Sequence, residues 1–247
     1  MTILVLSATR LEQAGLADAM VDFVDDTHQG HRWRFGELDG QRVRLVETGI
    51  GLANVASTLT RALELECPAV VLQVGVGGAY PSSGLNVGDL AVASEECYGE
   101  LGVATPQGWQ PADLIGIPVA ELPEGPFFNR YPLKTETTAA VTDCLREHTA
   151  EAVVRSGLFV TVQECGGTDG LAKMREERFS GALCENMEGA AAAHICALYG
   201  AELIEVRAIS NRVEDRDLSR WNLPLATAHA CAAARALIAR LLGETAA

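Results

Sequence analysis

Long apolar runs, basic stretches and paired cysteines are all missing from this chain, and each absence excludes something. No window approaches the roughly 20 apolar residues that a membrane-spanning helix needs. The opening MTILVLSATRLE has no basic region and only a short apolar run before Ser7, so it reads as a buried first strand and not as a signal peptide. Lys and Arg number 19 against 33 Asp and Glu, for a net charge of −14. Because the cations are spread out and form no stripe, most of the surface would repel a phosphate backbone, and nucleic acid is not expected as a partner. The seven cysteines are odd in number and include no C-x-x-C pair. They read as reduced thiols of a cytoplasmic protein, not as a disulfide frame or a zinc site. The five histidines lack H-E-x-x-H or any paired ligand spacing, and no metal or cofactor is implied. G-x-x-x-x-G-K-[ST] is absent too, which leaves a nucleoside triphosphate site without support.

What is present is apolar content of 48% over 247 residues, ample for a sizeable core. Short apolar runs at 3–6, 43–46, 70–74, 89–93, 153–162 and 203–209 read as strands. Helical patterns fall between them at 11–23, 52–65, 136–148, 188–198 and 219–242. That alternation predicts one α/β domain over 1–247, a mixed and mostly parallel sheet flanked by helices in three layers. The Pro- and Gly-rich stretch 105–132 is the longest irregular segment, either a surface excursion or a lid or subunit contact.

In such sheets ligands lie beyond the carboxyl ends of the strands. The exits here are SATRLE, ETGIGLAN, QVGVGGAYPSSG and RAISNRVE. Gly49 and Gly51 precede a helix, and Gly75, Gly77 and Gly78 are expected to follow a strand, so backbone can approach a ligand at both places. Glu12 stands at a helix N-terminus, where a carboxylate also complements the dipole. Asn211 closes the last strand and could equally be a turn residue. The stretch CENMEGAAAAH sets Glu188 at the start of an alanine-rich helix, where an unpaired carboxylate would be costly to bury.

Taken together, the Glu after strand one, TGIG, GVGGA, NMEGAA and RAISN, in that order and over nearly the whole chain, resemble the nucleoside phosphorylase and nucleosidase superfamily. The resemblance implies cleavage of an N-glycosidic bond through an oxocarbenium-like transition state. It implies that Glu188 accepts from the ribose 2′ and 3′ hydroxyls while Met187 packs on the sugar, which would compensate the buried carboxylate. Val76, Gly77 and Gly78 would line the same pocket.

The phosphorylases that this chain resembles carry an Arg and a Ser where Gln73 and Val76 stand here. Water is therefore the expected nucleophile, with Glu12 as its base, Glu188 helping to stabilise the ribosyl cation, and Asn54 or Ser57 as possible assistants. Adenine-cleaving members have Asp at the position of Asn211. An Asn amide cannot act as a comparable acid, but it donates well to the acceptors of a 6-oxopurine. That exchange, with FFNRYPL, CGGTDG and RWNLPLA, resembles the branch that releases hypoxanthine from a nucleoside bearing a benzoate arm at its 5′ end. Arg130, Phe128 and Tyr131 are candidates for holding the arm, and Gly166, Gly167, Thr168 and Asp169 for framing the base. Trp221 reads as a packing anchor or a binding aromatic. The resemblance also implies a homo-oligomer. The rival readings are a methylthioadenosine or adenosylhomocysteine nucleosidase, disfavoured by Asn211, and a non-catalytic nucleoside-binding protein, disfavoured by the presence of both Glu12 and Glu188.

Overall fold

The structure, a computed structural model, describes residues 2–149 and 151–245. The chain begins with β1 (Thr2–Ser7), α1 (Arg10–Ala19), β2 (Val21–His28), β3 (His31–Leu38), β4 (Gln41–Glu47), α2 (Leu52–Leu65), β5 (Val70–Ala79) and β6 (Leu90–Tyr98). Five short strands follow: β7 (Gly102–Thr105), β8 (Gly108–Pro111), β9 (Ala120–Leu122), β10 (Gly125–Phe127) and β11 (Arg130–Pro132). The remainder is α3 (Thr135–His148), β12 (Val154–Thr161), α4 (Asp169–Arg178), β13 (Ala182–Asn186), α5 (Gly189–Tyr199), β14 (Leu203–Arg212) and α6 (Leu223–Thr245).

The main sheet has 10 strands in the order β11-β6-β12-β13-β5-β1-β4-β3-β2, with β14 paired to both β5 and β6. Alternation along β1 shows how the layers are made. Ile3 and Val5 point into a core shared with α1, α3 and α6, whereas Leu4 and Leu6 point into one shared with α2 and α5. The alanines of α5 are its packing surface: Ala190, Ala191, Ala192 and Ala193 are all buried, and their small side chains let the helix lie close to the sheet.

β5 positions the site. On one side β14 runs parallel along it from Val71 to Ala79. On the other side β1 pairs only as far as Gln73, and β13 takes over, antiparallel, at Gly78 and Ala79. Residues 74–77 therefore have no strand on that side, and side chains supply the missing hydrogen bonds.

Several sequence expectations are corrected. Gly75, Gly77 and Gly78 lie inside β5 and do not follow it, because two strands and several side chains approach that backbone. The helix expected over 11–23 ends at Ala19, with Met20 extended at φ −71° and ψ 142°, and its last residues belong to the exposed strand β2. The last helix starts at Leu223; residues Leu218–Arg220 form a separate 3-10 turn capped by Asp217. Stretch 105–132 is built of hairpins, β7 with β8 and β9 with β10, and β11 joins the edge of the main sheet. β2, β3, β13 and α4 were not expected at all.

Candidate active site

Glu12 is the third residue of α1 and closes a capping box with Thr9. Its Oε2 accepts from the Thr9 N–H and hydroxyl, both at 2.9 Å. Its Oε1 accepts from the Val76 N–H at 2.9 Å, in the unpaired stretch of β5. A Cβ on Gly75 would stand 2.5 Å from that oxygen, so the approach requires glycine. Burial raises the pKa of the Glu12 carboxyl; Arg207 and the Val76 N–H counteract this, and the Glu188 charge adds to it.

Glu188 is the N-cap residue of α5 and is also buried. Its Oε1 accepts from the Gly51 N–H at 3.0 Å and its Oε2 from Arg207 Nη1 at 3.1 Å. Arg207, on β14, ties the exits together: Nη1 also donates to the Val76 carbonyl at 3.3 Å, and Nε donates to Glu205 Oε1 at 2.9 Å. Burial would lower the pKa of this guanidinium, but Glu205, Glu188 and Glu12 outweigh it and hold it above its ordinary value. Sequence reasoning missed Arg207. Its signal was available: Glu205 and Arg207 stand two apart, on one face of an otherwise apolar strand, where opposite charges can be buried only if paired.

Asn211 faces Gly78 in the β14–β5 register. Its Oδ1 accepts from the Ser210 hydroxyl at 2.8 Å, and its Nδ2 donates to the Arg212 carbonyl at 2.9 Å, leaving one amide hydrogen to spare. Gly77 accepts from the Ser210 hydroxyl through its carbonyl at 3.3 Å. Met187 Sδ lies 3.3 Å from Cys165 Sγ.

The CGGTDG segment is held from both flanks. Gly166 N–H donates to Glu185 Oε1 at 2.6 Å, and the Gly167 carbonyl accepts from Arg216 N–H at 3.2 Å. Asp169 and Asp215 accept from one another's backbone N–H groups at 3.2 and 3.0 Å. Thr168 caps α4 by accepting from Leu171 N–H at 3.1 Å. Glu185 is in turn fixed by Arg175 Nη1 at 2.7 Å and the Tyr80 hydroxyl at 3.3 Å.

Residues 2–242 match the family model described as the Phosphorylase superfamily. The chain belongs to that superfamily. A relative of this phosphorylase-superfamily chain, futalosine hydrolase of Thermus thermophilus, is 33% identical over 241 residues, which cover 98% of this chain and 95% of the relative. Among solved structures, the 5′-methylthioadenosine/S-adenosylhomocysteine nucleosidase of Neisseria meningitidis with methylthio-immucillin-A superposes with a TM-score of 0.83 at 21% identity, over 97% of this chain and 99% of that one. The corresponding enzyme of Colwellia psychrerythraea with adenine gives 0.84 at 21%, over 98% and 96%. An aspartate-to-asparagine variant of the Helicobacter pylori enzyme, with 5′-methylthioadenosine in its active site, gives 0.79 at 20%, over 97% of both chains. These structures share the fold of this superfamily member.

Other expected site residues of this superfamily member lie outside the cluster. Arg130 is on the edge strand β11, where its Nη1 is paired with Glu95 Oε2 at 2.6 Å and its backbone with Cys97 of β6. Tyr131 is buried between Phe127 and His194 as a stacked ring, and Phe128 is half-buried. Trp221 carries the Arg216 guanidinium at 4.8 Å from its ring. Asn54 donates to the Ile50 carbonyl and Ser57 to Gln29. Gln73 is buried in β5 opposite Leu6 and Glu205. Among the described residues no three His, Cys, Asp or Glu side chains are grouped as a metal site, and no helix is long and apolar enough to cross a membrane.

Proposed function

We propose that this chain hydrolyses the N-glycosidic bond of futalosine, releasing hypoxanthine, as a step of menaquinone biosynthesis. The observation that carries the reading is the likeness to the Thermus futalosine hydrolase across 98% of the chain. The geometry agrees with the chemistry this requires. Glu12 is the base that orients and deprotonates water. Its burial makes it a stronger base than a solvated glutamate, and its bond to Val76 N–H fixes it at the gap in the β5 ladder.

Glu188 receives the ribose hydroxyls on the lone pairs that Gly51 and Arg207 leave free, and its charge stabilises the ribosyl cation. Met187 packs on the sugar, beside Val76, Gly77 and Gly78. Asn211 directs its spare amide hydrogen to N7 or O6 of the leaving base, whose charge is then stabilised without protonation by a carboxylic acid. Gly167 and Thr168 frame the base from a loop fixed on both flanks. Arg130, on the edge strand β11 and paired with Glu95, is the proposed cation for the benzoate arm. We further propose a cytoplasmic homo-oligomer, in keeping with the unpaired cysteines and the exposed apolar run Leu114, Ile115, Ile117 and Val119.

Adenine release from methylthioadenosine is the second reading, favoured by the solved structures quoted above and opposed by Asn211. One experiment separates the two. The purified protein is incubated with futalosine, inosine and methylthioadenosine, with and without phosphate, and free base is followed by chromatography. Hypoxanthine from futalosine at a phosphate-independent rate is the expected result. Adenine from methylthioadenosine would install the second reading, and release that requires phosphate would remove water as the nucleophile.

A further inference from the structure

Behind Arg207 lies a second pair of carboxyl groups that the scheme above does not use. Glu96 on β6 and Glu205 on β14 are both wholly buried. Glu205 Oε1 is bound by Arg207 Nε, while its Oε2 has no partner other than what Glu96 can offer. Glu96 accepts from Asn186 Nδ2 at 2.7 Å on Oε1 and from the Thr161 hydroxyl at 2.8 Å on Oε2. Glu96 Oε1 and Glu205 Oε2 border one point in space: a Cβ on Gly189 would stand 1.9 Å from the first and 2.5 Å from the second. Two buried carboxylates at such proximity cannot both be ionised, and a proton between them would satisfy the otherwise unpartnered oxygen.

The groups that hold this pair also hold Glu188, by two routes. Through Glu205 and Arg207 the pair reaches the Glu188 side chain. Through Asn186 and Thr161 it reaches the backbone: Asn186 Oδ1 accepts from the N–H groups of Glu188 at 2.9 Å and Gly189 at 2.7 Å, and the Thr161 hydroxyl accepts from Ala190 N–H at 2.7 Å. We infer that Glu96 and Glu205 share a single proton and together form the positioning unit that fixes Arg207, and through it Glu188, for substrate binding. This rests on the reading of Glu188 as the ribose-binding carboxylate.

The asymmetry of the surroundings says which partner carries the proton. Burial raises both carboxyls, the Glu205 charge raises Glu96 further, and the Arg207 guanidinium draws Glu205 back down. Glu96 is the acid that donates, and Glu205 is the anion that faces Arg207. The other titratable groups facing the pair are Glu188 from the start of α5, Cys184 of β13, Cys196 of α5, and Cys97 and Tyr98 of β6. Burial pushes Cys196 and Cys97 up to about 12 and raises Cys184 and Tyr98, so these four are neutral through the working range.

The test compares two isosteric neutral variants. In Glu96→Gln the amide donates to Glu205 as the protonated acid does but no longer accepts from Asn186 Nδ2, so KM for futalosine should rise by no more than about threefold, less than in Glu205→Gln. In Glu205→Gln the Arg207 guanidinium loses one of its two bonded buried counter-charges and keeps Glu188, so KM should rise about tenfold or more, with a smaller change in kcat. In the parent, KM should rise as pH climbs above the ordinary glutamate range and the shared proton leaves; Glu96→Gln should remove that dependence. Equal KM values for the two variants, or an unchanged pH dependence in Glu96→Gln, would overturn the proposal. If Glu205→Gln does not fold, the pH dependence alone decides. Infrared difference spectroscopy supplies a readout that needs no turnover: a protonated carboxylic acid band at neutral pH that vanishes in Glu96→Gln. A protein inactive on futalosine but showing that band would lose the functional reading and keep the shared proton; absence of the band would refute the shared proton whatever the activity.

Discussion

Glu12 serves the fold with one oxygen and the site with the other. Oε2 completes the cap of α1, while Oε1 points to Val76, so a change that spares the cap can still remove the chemistry. Glu12→Gln is expected to bind substrate with little change in Kd and to lose about 10²-fold or more in kcat, which single-turnover kinetics with a binding titration would measure. A Glu12→Gln protein of undiminished kcat would end the base assignment. Because burial raises the Glu12 carboxyl and a base must be ionised to act, kcat/KM should fall with decreasing pH at a higher pH than for a solvated glutamate. A pH–rate profile without that acid limb would contradict it. Asn211 makes a separate prediction: Asn211→Asp supplies an acid and an acceptor for a 6-amino group, so the ratio of kcat/KM for adenine against hypoxanthine nucleosides should rise. An unchanged ratio would detach base choice from this residue.

At the scale of elements, α5 is the informative case. Alanine is the better helix former by about 1 kcal/mol. Yet Gly189→Ala would drive a methyl to 1.9 Å from Glu96 Oε1, where overpacking costs about 1–3 kcal/mol. The variant should therefore melt below the parent, and a higher melting temperature would show that the carboxyl pair yields easily. The same elements show what a sequence displays and what it conceals. α2 was legible to the residue because its apolar positions, Val55, Leu59, Ala62 and Leu63, recur on one helical face. α1 was overextended because Val21, Phe23 and Val24 continue an apolar pattern although they lie exposed on β2. α4 went unseen because DGLAKMREER buries little beyond Ala172 and Arg175, and so shows no stripe. Glu12, Glu188 and Asn211 could be picked out because each sits at a strand exit or a helix start. Glu205 and Arg207 showed in sequence only as a charge pair in an apolar strand, and Glu96 not at all, because what they hold exists only where β5, β6, β14 and α5 meet.

Taken whole, the molecule has a net charge of −14 and buries several carboxyls, Glu96 and Glu205 among them, in its interior. Glu96 links that interior to global stability. Its carboxyl is raised by burial, so above the ordinary glutamate range the native state holds a proton that the unfolded chain has released. The corresponding stability is fully present below the unfolded value and is lost as pH rises towards the folded one. Denaturant unfolding across that range should show the decline, and Glu96→Gln should flatten it; parallel curves for the two proteins would reject the linkage. The exposed run at Leu114, Ile115, Ile117 and Val119 predicts association, so sedimentation should give a mass above 26.2 kDa, and a monomer at micromolar concentration would leave that surface unexplained. The interruption in the ladder of β5 has one more consequence. Since the Val76 amide bonds to a titrating carboxylate in place of a neighbouring strand, its nitrogen and proton resonances should move as Glu12 ionises. The backbone thus contains its own indicator dye, readable by magnetic resonance in the unaltered protein and before any substrate is added.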